Sequence, residues 1–157
     1  MKHKYLGQAI GIGWLAGMRS VSALAISTNL ASHTGFFKPK TPLIRFLKKP
    51  VVQISSYILA AGEMVADKLP TTPDRIKPVP LTGRALMGAL SGAVIYTLAR
   101  RNPFTGALIA GAAAVASTYT MYYLRKEIKA TTNAPDLVLG LAEDAIVISQ
   151  VIITKME

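Results

Sequence analysis

The chain has 157 residues and no cysteine, so it carries no disulfide framework, thiolate metal site or thiol nucleophile. Hydrophobic residues make up 51% of it, the mean hydropathy is +0.37 and only 17% is charged, less than a soluble domain usually carries. The net charge of +10 would suggest nucleic acid in a soluble protein, but the basic residues sit between apolar runs and aromatics are only 7%. No basic stripe with stacking aromatics exists, so nucleic acid is set aside. The expected partners are membrane lipids with anionic headgroups, met by positive flanks on membrane helices.

After Lys2 and Lys4, residues 6–30 form an apolar, glycine-rich run whose only charge is Arg19. Its length suits one crossing helix. A cleaved signal peptide competes, with Ala23-Leu24-Ala25 as a cleavage-like site, but Arg19 breaks the apolar core that such a segment needs. Gly7, Gly11, Gly13 and Gly17 include two four-residue spacings, which predict close helix packing. Residues 31–49 are a basic loop with greasy points, in which Pro39 and Pro42 rule out a long helix. After Pro42, a short amphipathic turn in the headgroup layer and a solvated loop are both open readings.

The second span, 50–69, starts at Pro50, stops before Pro70 and contains Glu63 and Asp67, four apart on one helical face. Residues 70–80 read as a stiff connection holding four prolines. The third span covers 81–99 and is closed by Arg100-Arg101-Asn102-Pro103. The fourth, 105–124, ends at Tyr119, Tyr122, Tyr123, Arg125 and Lys126, an aromatic and basic interfacial anchor. The fifth, 135–153, opens with Pro135-Asp136 and carries Glu143 and Asp144.

The expectation is an all-α, polytopic membrane helix bundle of five helices in a single domain. A faint repeat relates helices 1 and 2 to helices 4 and 5. Ala16-Gly17 through Ala23 resembles Ala110-Gly111 through Ser117, and Leu59-Ala60-Ala61-Gly62-Glu63 resembles Leu139-Gly140-Leu141-Ala142-Glu143. With five crossings the second copy is inverted, a recurring transporter plan. The basic residues divide almost evenly between the two sides, so the positive-inside rule selects no orientation. Dual insertion as an antiparallel homodimer and a span that re-enters are the two readings of that balance.

Arg19, Glu63, Glu143 and Asp144 fall at similar depth on three spans. A lone charge there costs about 3 kcal/mol, and opposite charges inside the bundle relieve it. Arg19 is therefore expected to pair with Glu63, Glu143 or Asp144. Arg84 and Asp67 are expected to form a second layer with Arg75 nearer the surface. A buried ion-pair lock is one reading. The other is a hydrated site in a small channel or transporter, for a cation or proton because carboxylates outnumber buried arginines. A lipid-binding or lipid-modifying protein using Asp67, Arg75 and Arg84 is the alternative. No metal or cofactor is expected, since His3 and His33 lie in the flanks and the acids match no metal motif. P-loop, GxSxG and HExxH patterns are missing, so no catalytic residue is assigned and an enzyme is not the leading reading.

The residues Gly17-Met18-Arg19-Ser20, Glu63-x-x-x-Asp67-Lys68-x-Pro70-x-x-Pro73-x-Arg75, Pro80-Leu81-x-x-Arg84 and Pro135-Asp136 through Glu143-Asp144 resemble a known pattern. It is that of a family of small bacterial integral-membrane proteins catalogued only as a domain of unknown function. The resemblance runs from helix 1 to helix 5. It implies an inner-membrane location and no established activity.

Overall fold

A computed structural model describes residues 2–33, 41–66 and 76–132, together with Gly140, Leu141 and Ala145, which are helical. Its elements are α1 (Lys2–Met18), α2 (Ser20–His33), α3 (Pro42–Leu47), α4 (Pro50–Ala66), α5 (Pro78–Leu98) and α6 (Pro103–Thr132). The fold is all-α. The fifth expected span lies outside the described residues apart from those three, and so does the helix 5 part of the expected repeat.

Helices α3 to α6 all begin on a proline. Its fixed φ suits the first turn and its missing N–H would have had no partner there. Pro78 and Pro80 therefore lie inside the first turn of α5, and the connection expected over 70–80 ends earlier than its proline content implied. The α6 helix runs on through Arg125 and Lys126 to Thr132, because the stretch Leu124–Ala130 consists of good helix formers without Gly or Pro. An interfacial anchor positions a helix and does not end it.

The largest departure is in the first span. Residues 6–30 are not one crossing helix: the chain breaks at Arg19 into α1 and α2. The two arms diverge from that point, and α2 returns toward the end of the bundle where α1 began. Lys4 of α1 and Leu30 of α2 line one shared cleft. Hydrogen bonds from Ser20 to Glu63, Thr28 to Ser56 and Asn29 to Tyr57 show that α4 runs antiparallel to α2. The α1 arm runs parallel to α6, with Gly13 on Ala110 and Gly17 on Ala114. The α5 helix is antiparallel to both. Its last turns, the start of α6, the start of α1 and the end of α2 share one end of the bundle, called the first end below.

Close approach holds α1, α5 and α6 together. A Cβ on Gly17 would come within 2.6 Å of the Ser117 Cβ, on Gly88 within 2.7 Å of the Ala114 Cβ, and on Gly106 within 2.6 Å of the Tyr96 ring. Only glycine lets these helices meet at that spacing. The core they enclose contains Ala9, Ile12, Leu15, Ala16, Ile95, Ala110 and Ala114. A second cluster at the first end joins Ala31, Ile44, Leu47 and Val94, so α3 packs there as a short amphipathic helix.

The α5 and α6 helices are long and apolar enough to cross a membrane, with mean hydropathies of 1.2 and 1.3. Most of each is not covered by the rest of the chain. Large apolar side chains point outward, among them Val51, Ile54 and Ile58 on one face of α4, and Leu86, Phe104 and Leu108.

Candidate functional site: a clasped helix break

An uninterrupted helix would send the Ser20 and Val21 amides to the carbonyls of Ala16 and Gly17. At Arg19 this ladder parts. The Ser20 N–H donates to Glu63 Oε1 at 2.9 Å and the Val21 N–H to Glu63 Oε2 at 2.8 Å. The Ser20 hydroxyl adds a third bond to Oε1 at 2.5 Å. One carboxylate from α4 thus serves as the N-cap of α2. Arg19, which precedes α2, is not a capping residue, so the acceptor comes from another helix. The amide dipoles of α2 favour negative charge at this end.

The opposite end is treated in the opposite sense. Arg84 of α5 donates through Nη1 to the Gly17 carbonyl at 2.6 Å and the Met18 carbonyl at 3.0 Å. These are the last carbonyls of α1, where positive charge is favoured. From α6, the Thr118 hydroxyl also donates to the Gly17 carbonyl at 3.2 Å, and the Ser117 hydroxyl donates to the Trp14 carbonyl at 2.8 Å. Hydrogen bonds lost by breaking one helix are replaced by a carboxylate on one stump and a guanidinium on the other. Arg19 itself is fully buried and donates through Nη1 to the main-chain carbonyl of Glu63 at 3.4 Å. Arg84 is 5% exposed.

The junction lies within the bundle. It packs against Ala114–Thr118, midway along α6. From it a line of polar side chains follows the α2–α4 seam toward the first end: Thr28 with Ser56 at 3.3 Å, Asn29 with Tyr57 at 2.5 Å, and Ser32 with Gln53. Near the break, Ser22 is buried with a hydroxyl that meets no partner among the described residues, as is Ser91 on α5.

Of the seven candidate residues, Arg19, Glu63 and Arg84 are brought together. The Arg84 side chain reaches the stump of α1, while its expected companions Asp67 and Arg75 lie outside the described residues. Arg19 meets Glu63 through the main chain, while the Glu63 carboxylate is directed to α2. Asp67, Arg75, Glu143 and Asp144 lie outside the described residues. Sequence reasoning missed the backbone groups of Gly17, Met18, Ser20 and Val21, along with Ser117 and Thr118. Their signal was available in one respect: a helix starting after Arg19 has no local N-cap.

The fold and junction define an all-α protein with, among the described residues, two helices long and apolar enough to cross a membrane and a charge-clasped helix break in its interior. Residues 6–155 match the family described as Domain of unknown function (DUF4126), and the chain belongs to that family. The chain matches no curated protein and no solved structure.

Proposed function

We propose that this is a multi-pass protein of the bacterial inner membrane that passes protons or small cations, with Glu63 as the exchanging group. The observation that carries the reading is the helix break clasped by Glu63 and Arg84 within the bundle. In a bilayer, irregular backbone is tolerated only where protein or water satisfies it, and discontinuous helices recur at transporter sites. The exposed apolar faces of α4, α5 and α6 support immersion in lipid, since in water they would leave large apolar areas exposed. The polar seam from Thr28–Ser56 to Ser32–Gln53 offers a route from the first end toward Glu63, broken by the apolar step at Leu24 and Ala60 that water would have to bridge. Asp67, Arg75, Glu143 and Asp144 remain in the proposed site as its sequence-derived members.

A second reading has its own observation. Glu63 and Arg84 are both engaged on main-chain groups, which is what a lock fixing the hairpin would require. Purified protein in proteoliposomes under a pH gradient, with a potassium or sodium gradient in parallel, separates the two. Conduction predicts a proton or cation flux that Glu63→Gln abolishes while the protein stays folded. Flux equal in wild type and Glu63→Gln removes Glu63 from the pathway. No flux of any ion, with Glu63→Gln only less stable, leaves the lock.

A further inference from the structure

We infer that the cleft between the arms of the α1–α2 hairpin is a binding site for one anionic phospholipid of the surrounding membrane, with an acyl chain in the cleft and the headgroup at Lys4. The inference rests on the membrane reading but not on ion passage.

The cleft has a volume of about 570 Å³, within the range of small-molecule sites. Its walls are α1, from Lys4 through Gly7 and Gly11 to Leu15, α2, at Ile26 and Leu30, and Ile95 of α5, with Gln8 and Ser27 as polar lining. Lys4 to Leu15 spans about 16 Å of helix, so the cleft is long. The glycines of α1 divide by role. Gly13 and Gly17 face α6, where a Cβ would overlap Ala110 or Ser117. A Cβ on Gly7 or Gly11 would meet nothing within 4 Å. Helix packing therefore does not call for glycine at 7 and 11. What their missing side chains do is keep the α1 wall of the cleft bare. A straight apolar chain fits a bare, narrow, largely apolar trough, since contact along its length displaces water without asking for hydrogen bonds.

Charge selects the headgroup. Lys4 is exposed at the mouth. Next to it, the Arg101 guanidinium stacks on the Tyr5 ring, 5.6 Å from the centroid. Arg45, Lys48, Lys49 and Arg100 belong to the same end of the bundle. No acidic residue occurs anywhere from residue 1 to residue 62, nor between Arg75 and Lys126. A phosphate held at that mouth meets cations with no competing carboxylate from α1, α2, α3 or the α5–α6 turn. Each lysine near a membrane surface contributes roughly a fivefold preference for anionic lipid.

The test uses the full chain reconstituted in vesicles of equal parts phosphatidylglycerol and phosphatidylcholine, extracted in mild detergent, with retained lipid counted by native mass spectrometry. Wild type should retain one phosphatidylglycerol in preference to phosphatidylcholine. Lys4→Gln should cut that preference roughly fivefold. Gly11→Leu, which fills the cleft, should abolish retention of both lipids at an unchanged unfolding midpoint, and Gly7→Ile gives the same reading should Gly11→Leu fail to fold. Lipid retention is counted separately from ion flux, so a wild type without flux that still retains one phosphatidylglycerol keeps the site. Equal retention of the two lipids by wild type, or undiminished retention by a folded cleft-filling variant, overturns the site. Release of the chain from membranes by alkaline carbonate would instead remove the membrane reading itself.

Discussion

At the scale of residues, the interior of this protein depends on two side chains that act on backbone. Glu63 and Arg84 take the places of helical carbonyls and amides that the break at Arg19 leaves behind. A buried donor or acceptor stripped of its partner costs about 1–3 kcal/mol. Glu63→Ala, which orphans two amides and a hydroxyl, should destabilise by about 3 kcal/mol. Arg84→Met, which takes a donor from two carbonyls, should cost about 2 kcal/mol, because Thr118 still serves that of Gly17. Combined, they should cost less than their sum, since releasing either stump lets the hairpin relax. Thermal midpoints in detergent check this, and an additive double variant would mean that the two ends are held independently. Arg19 and Glu63 were legible from the sequence as charges that an apolar run must accommodate. That the carboxylate would address amides was not, because a sequence shows charges but not the direction of an N–H.

At the scale of elements, glycine has two uses in one helix, and spacing alone does not separate them. The α5–α6 seam is the clearest packing case. A Cβ on Gly106 would enter the Tyr96 ring, so Gly106→Ala should cost about 1–3 kcal/mol by overpacking. Gly11→Ala should be neutral or stabilising by up to about 1 kcal/mol through helix propensity alone. Opposite signs of the midpoint shift are the readout. The turn between these helices shows a similar departure from the local rule. Arg100 adopts a φ of 55°, with its N–H on the Thr97 carbonyl at 3.0 Å and the Arg101 N–H on the Tyr96 carbonyl at 2.8 Å. This is the Schellman arrangement, whose left-handed position glycine normally fills. Arg100→Gly should therefore stabilise by roughly 1 kcal/mol, read as a raised unfolding midpoint. A lowered midpoint would show that the Arg100 side chain contributes more than its backbone costs.

At the scale of the whole molecule, the hairpin reassigns the ends of the chain. A single crossing helix over 6–30 would put Lys4 and Lys49 on opposite faces of a membrane, and the even division of basic residues followed from that topology. The hairpin puts Lys4, Lys49 and Asn102 at one end and Lys77 and Lys129 at the other, and among the described residues more of the positive charge falls at the first end. In the proposed bilayer the first end then faces the cytoplasm. The chain has no native cysteine to confuse labelling. Single cysteines at positions 4, 49 and 102 should react from the cytoplasmic face with an impermeant maleimide, and those at 77 and 129 from the other. Labelling of 4 and 49 from opposite faces would restore the single crossing and sink the hairpin as a membrane topology.

Composition and hydropathy determined the all-α class, the apolar character of the long helices and the start of α4 at Pro50, because each follows from local chemistry: period, length and a fixed φ. They also marked Arg19, Glu63 and Arg84 as charges in need of partners. Only the tertiary structure decided that the first apolar run folds back on itself. Nothing between Met18 and Ser20 breaks a helix by propensity, and the break persists because a carboxylate forty-three residues onward in the chain, measured from Ser20, and a guanidinium on a third helix satisfy the groups it exposes. Backbone hydrogen bonding is local in an unbroken helix and becomes non-local where the helix stops.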